Sequence, residues 1–166
     1  MKNSLYSLLL IGGLFFTAAF KVRPEKTNFS GTWVLNISKS DFGDSPTYVL
    51  QKQLDITDNS TSIKIKYTAT TEAGADSVFV LTYSQGKVLD NLTAEKRTQH
   101  FKFMRPESDD FTLEHSSSFP QKPDSEEYHT FQQFHISADR KQLTLDKQVK
   151  VYNGYAYTVK GVYEKK

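Results

Sequence analysis

Chemistry in this chain would have to come from four histidines, a few neighbouring carboxylates and a run of serines. His100, His115, His129 and His135 are the only imidazoles. His129 and His135 share a parity, but six residues at about 3.3 Å each set them ~20 Å apart along an extended strand, too far to share one ion. His115 could meet another histidine only across strands. No Asp-x-Asp-x-Asp-Gly calcium pattern occurs, and with no cysteine there is no thiolate ligand set. No metal and no cofactor are expected. Glu126 with Glu127, Asp109 with Asp110, and Glu72 with Asp76 fall at predicted turns, and adjacent strand residues point to opposite faces, a poor arrangement for acid–base pairs. Ser116, Ser117 and Ser118 lack a G-x-S-x-G elbow, and no glycine-rich phosphate loop exists. The chain reads as a non-enzyme with no catalytic residue.

Aromatic side chains are the richer resource: 1 Trp, 9 Tyr and 12 Phe, 13% of the residues. Spread over many predicted strands, most belong to a core, Phe79, Tyr155 and Phe103 among them. An aromatic-lined interior carrying a few hydroxyls is also how a pocket for an apolar small molecule is built. Tyr67, Tyr83 and Tyr157 are the expected polar handles, and Phe103 and His115 complete the candidate ligand-binding set. Gly31 and Trp33 are expected to be structural. The glycine permits close backbone approach, and the lone tryptophan plugs one end of the core.

The elements that must position these residues are strands. Ile63, Ile65 and Tyr67 alternate with Lys64 and Lys66. Leu143, Leu145, Val149 and Val151 alternate with Thr144, Asp146, Gln148 and Lys150. Tyr48, Leu50, Leu54 and Ile56 share one parity, and Tyr155, Tyr157 and Val159 extend the pattern to the C-terminus. Period-two alternation is the mark of half-buried strands. Compact polar breaks at Asp58–Ser60, Glu72–Asp76, Gln85–Lys87, Pro106–Asp110 and Ala138–Lys141 separate the runs. Lys87–Lys96 fits a weak strand and a short helix equally. Ser38–Pro46 and Pro120–Glu127 read as loops, the second mobile. Eight to ten strands joined by hairpins predict an all-β, antiparallel up-and-down barrel in one domain, residues 20–166, with an open β-sandwich as the alternative.

Residues 1–19 carry Lys2, an apolar run over Leu8–Phe16 and the small residues Thr17, Ala18 and Ala19, the pattern of a cleaved signal peptide. An apolar run this short cannot cross ~30 Å of hydrocarbon, so no membrane anchor is expected after cleavage. The chain is then exported, periplasmic or extracellular. With 21 Lys+Arg against 19 Asp+Glu it has no basic excess for nucleic acid.

The opening of this exported part has the most specific motif. Gly31, Thr32 and Trp33 form a G-x-W, continued by Leu35 and Asn36 and then by Lys39, Ser40, Phe42 and Gly43. This G-x-W-x-L-N…K-S-x-F-G string resembles the opening of small secreted bacterial proteins described as lipocalin-like, of calycin type. Phe134–Leu145 resembles their late hairpin. The resemblance implies a lipocalin-like barrel. In place of the late-strand arginine of lipocalins, Lys160 is the expected cation over Trp33. The functional expectation is an exported, non-catalytic protein that binds a small apolar ligand. The alternative is an interaction module with a solid core, whose end loops Ser38–Pro46 and Pro120–Glu127 would hold a protein partner that the sequence does not identify.

Overall fold

The computed structural model describes residues 27–59, 61–92, 97–107, 109–119 and 122–166, so the predicted signal peptide lies outside the described residues. Ten strands form one sheet: β1 (Gly31–Leu35), β2 (Gln53–Asp58), β3 (Ser62–Thr70), β4 (Asp76–Ser84), β5 (Val88–Leu92), β6 (Thr98–Met104), β7 (Asp110–Phe119), β8 (Lys122–Ile136), β9 (Gln142–Val151) and β10 (Ala156–Lys165). The order β4-β3-β2-β1-β10-β9-β8-β7-β6-β5 pairs each strand with its chain neighbour, and β1 with β10 closes the circuit between the termini. Every pairing in this order is antiparallel. At the edges β4 and β5 the connection between them reaches β6 instead: Gln85 bridges Phe103, and the Gly86 N–H donates to the Phe103 carbonyl at 3.3 Å. The result is a nearly closed up-and-down barrel, not the alternative sandwich, which would need two facing sheets.

Alternation fixes which side chains enter. Cross-strand partners share a face, so the register carries one inward set around the wall: Tyr157, Val149, Thr130, His115, Phe101 and Leu89 form one row. The next row holds Val159, Lys147, Gln132, Leu113 and Phe103. Outward positions carry the polar partners, as with Lys64 and Lys66 on β3.

Several expectations need correction. Val88–Leu92, ambiguous in sequence, is a strand paired with β6. Lys122–Glu127 is not a loop but the first part of β8. It follows β7 through register shifts beside Ser118, which absorb a stretch containing Pro123, a residue with no N–H to give the ladder. Glu126 and Glu127 are therefore strand residues, not turn residues. Tyr48 and Leu50 precede β2; Thr47–Val49 is a 3₁₀ turn. Phe79 and Tyr155 are 41% and 57% exposed rather than core. Phe79 lies on the edge strand β4, opposite Tyr67 on β3, and stacks on that ring at 4.8 Å.

The two ends of the barrel differ. At one end the lead-in Thr27–Ser30 folds beneath the wall. Phe29, fully buried, packs edge-on against Phe111 at 4.8 Å and accepts a 3.0 Å hydrogen bond from Trp33 Nε1 at its carbonyl. Arg105 and Asp58 form an ion pair there with side chains only 2% and 3% exposed, and the Phe29 N–H also donates to Asp58. This end is sealed.

The other end is crossed by the β1–β2 connection, which forms its lid. After a 3₁₀ turn at Ile37–Lys39, Asp41 bridges Lys160 on β10, and the chain then returns over β9 and β10 to bury Leu50. Gly161 makes that passage possible: a Cβ there would stand 3.0 Å from Leu50 Cδ1 and 2.9 Å from Tyr163 Cε2. Gly161→Ala is expected to overpack this seat and cost about 1–3 kcal/mol, read as a lower urea midpoint with unchanged m-value.

Candidate functional site

One continuous row of rings lines part of the inner wall. Tyr83 meets Phe101 edge-on at 6.1 Å, Phe101 stacks on His115 at 4.3 Å with planes 3° apart, and His115 meets Tyr128 at 5.8 Å. β4, β6, β7 and β8 each supply one ring, aligned by the register Phe101↔His115 and His115↔Thr130. Tyr67 joins through its hydroxyl, 3.3 Å from that of Tyr83. Burial holds both phenols protonated: Tyr83 is pushed up to about 12, and Tyr67 is raised well above the usual tyrosine range by burial and by Tyr83 beside it.

Each end of the row borders a cavity. One, about 110 Å³, lies at the gap between β4 and β5 and is lined by Tyr83, Lys87, Val88, Leu89 and Phe101 among others. The second, about 400 Å³, lies at the Tyr128–Val151 end of the β8–β9 pair and is lined from both faces by Glu127, Tyr128, His129, Lys150, Val151 and Tyr152.

Polar groups face inward beside this row. Lys147 sits on the inward parity of β9, 7% exposed, and its Nζ donates to the Val49 carbonyl in the lid segment at 2.7 Å. Burial pulls its amine down to about 8. Thr130, 2% exposed, has a buried hydroxyl with no hydrogen-bond partner, and His115 Nε2 is likewise buried and unpartnered. Burial lowers the His115 pKa, with a smaller contribution from His129.

Of the candidate ligand-binding residues, the structure brings Tyr67, Tyr83 and His115 into this one assembly. Tyr157 faces inward from the neighbouring β10, half-buried. Burial lifts its phenol to about 12, with smaller contributions from Tyr128 and Tyr155. Phe103 does not belong to the row. It is fully buried with Phe111 at 6.0 Å, under the Arg105 guanidinium at 5.7 Å, and so belongs to the sealed end. Trp33 is also fully buried there, and its cation is Lys165, 5.2 Å from the ring centre, not Lys160, which points out towards Asp146. Gly31 adopts φ +148°, and a Cβ on it would stand 2.8 Å from Lys165 Cε. Tyr128, Thr130 and Lys147 went unnoticed in the sequence.

Two histidines pair with acids outside the barrel, His100 Nδ1 with Asp90 at 2.6 Å and His135 Nδ1 with Asp110 at 2.5 Å. Asp109, Asp110 and His135 gather their ligand atoms within 4.8 Å, with His135 Nδ1 hydrogen-bonded to Asp110 at 2.5 Å and 4.0 Å from the Asp109 carboxylate.

No family model matches the chain, and no curated protein matches it in sequence. Solved structures do. A "REP1-NXSQ fatty acid transporter" superposes with a TM-score of 0.53 at 11% identity, covering 82% of this chain and 95% of the other. A Schistosoma mansoni fatty acid binding protein in complex with arachidonic acid gives 0.51 at 14% identity, covering 85% and 98%. The chain is thus an all-β, ten-stranded up-and-down barrel with the calycin-like fold of fatty acid binding proteins.

Proposed function

We propose that the protein is an exported, non-catalytic binder of a small apolar ligand, held in the lid-end half of the barrel. The observation that carries this reading is the row Tyr83–Phe101–His115–Tyr128, whose ends line the two cavities. Stacked rings give a flat, rigid apolar wall at low entropic cost, while the sealed end keeps a ligand from passing through. The names of the fold neighbours, a fatty acid transporter and a fatty acid binding protein with its lipid, support the same class of ligand. Export rests on the pattern of residues 1–19, and the G-x-W opening supports kinship with the lipocalin-like secreted group.

Native mass spectrometry of Phe20–Lys166, purified from its own exported compartment, tests the reading. The expected spectrum carries a reproducible extra mass that leaves on denaturation, and the delipidated protein then takes up a fluorescent fatty-acid analogue. A bare mass together with no uptake of the analogue overturns it.

A further inference from the structure

Apolar burial alone does not explain what stands opposite the lid on the inner wall. Lys147 is an ammonium group inside a barrel, with the Val49 carbonyl as its hydrogen-bond partner and no ion-pair partner among the described residues. An ammonium has three donors, so two remain. Thr130 on the adjacent strand lies diagonally across, because Lys147 is opposite Gln132 and Thr130 is opposite Val149. Diagonal partners of this kind have Cα atoms about 7–8 Å apart, within reach of a long side chain. His115 is opposite Thr130 on the far side. Thr130 Oγ1 and His115 Nε2 are both buried without a partner.

Leaving a buried hydroxyl and a ring nitrogen unpaired costs about 1–3 kcal/mol each, so groups in this state point to something that completes them. The three share one requirement. An ammonium, a hydroxyl and an imidazole N–H can all donate to a single anionic oxygen group, and none of the described inward residues around them supplies one. The neighbouring inward residues Val149, Val159 and Leu113 are apolar, Gln132 is neutral, and the inward phenols Tyr157 and Tyr163 are held protonated by burial. Burial has pulled the Lys147 amine down to about 8, yet at neutral pH most molecules still carry the proton.

We propose that Lys147, Thr130 and His115 form an internal receptor for the single anionic group of an otherwise apolar, chain-like ligand. The aromatic row from His115 towards Tyr83 takes the apolar part. This deepens the proposed function and rests on it. The head group lies beneath the lid segment and the tail runs towards the gap between β4 and β5. The ammonium keeps the Val49 carbonyl while giving its remaining donors to the ligand.

The test is competitive displacement of a fluorescent fatty-acid analogue from the delipidated protein, using hexadecanoate, hexadecyl phosphate and hexadecanol. These probes share one chain and differ in the head. The wild-type protein is expected to prefer an anionic head over the alcohol by roughly tenfold or more, the scale of a charge-assisted hydrogen bond. The carboxylate and phosphate arms tell which anion the site fits. Lys147→Met is expected to erase that preference while still binding hexadecanol. Thr130→Val, isosteric and free of any folding risk from the lysine, should cut the preference about threefold or more. Equal affinity for alcohol and anions in the wild type overturns the inference and leaves the apolar binder standing, as does a preference unchanged in both variants. Failure of every probe to bind overturns both readings.

Discussion

Arg105→Met is expected to destabilise the protein by about 3–5 kcal/mol, a fall of roughly 10 °C in Tm for a domain of this size. The guanidinium sits among Phe29, Phe103 and the lead-in, 5.3 Å from the Phe29 ring, where it pairs with Asp58 and donates to the Thr27 carbonyl at 3.3 Å. Both side chains are almost wholly out of water. Removing the guanidinium takes from the Asp58 carboxylate the cation it pairs with in a low-dielectric seat, and that lost compensation is the main source of the loss. The double variant Arg105→Met with Asp58→Leu should therefore be more stable than Arg105→Met alone. It should still fall short of the wild type, because Asp58 also accepts the Phe29 N–H at 3.1 Å. Urea denaturation of the three proteins decides the point. A single variant within 1 kcal/mol of wild type would mean that this end is wet and that the pair does not seal it.

The barrel was legible because its strands announce themselves by alternation and its turns by small polar residues. Ile63, Ile65 and Tyr67 are inward on β3, and Leu143, Leu145 and Val149 on β9, where the period-two pattern puts them. The pattern failed where the local signal was weak or the geometry irregular. Pro123 and its charged neighbours read as a loop because their pairing with β7 is held by register shifts that composition does not reveal. The cation over Trp33 was placed at Lys160 rather than Lys165. Only the β1–β10 register, Trp33↔Lys165, a pairing between the two ends of the domain, distinguishes them.

The candidate site was legible in part, and the omission is instructive. On β9 the inward parity runs Leu143, Leu145, Lys147, Val149, Val151, and the alternation drawn from the four apolar residues leaves the lysine among them out of account. A charged residue at a core position of an otherwise clean alternation is itself a signal, since such a residue has to be tolerated for a reason. Thr130 and Tyr128 share the inward parity of β8 with Phe134 and Ile136 in the same way. Tyr67, Tyr83 and His115 were picked by residue type, and the register joins them into one assembly through Phe101.

Lys147→Met makes the second large effect measurable, through the pH dependence of stability. The amine is lowered from its ordinary 10.5 to about 8 by burial. Between those values the unfolded chain binds the proton and the folded protein releases it, so stability rises with pH across that window. Below pH 8 both states are protonated and the full penalty stands, about 3 kcal/mol at 1.36 kcal/mol per unit. The wild type is expected to gain up to that amount between pH 8 and 10.5 relative to Lys147→Met, measured by urea denaturation at each pH. Comparing the two proteins removes what they share. The raised phenols of Tyr67, Tyr83, Tyr157 and Tyr163 oppose the rise only as the pH passes 10, and lowered His115 acts below 6.5. At pH 7 the variant's gain is reduced by the Val49 carbonyl losing its donor, a loss of about 1–3 kcal/mol. Parallel curves for the two proteins would mean that the amine is solvated in the folded state. An anionic ligand held against Lys147 stabilises the ammonium and lifts its pKa. Saturating hexadecanoate should therefore flatten the wild-type rise, while hexadecanol leaves it in place.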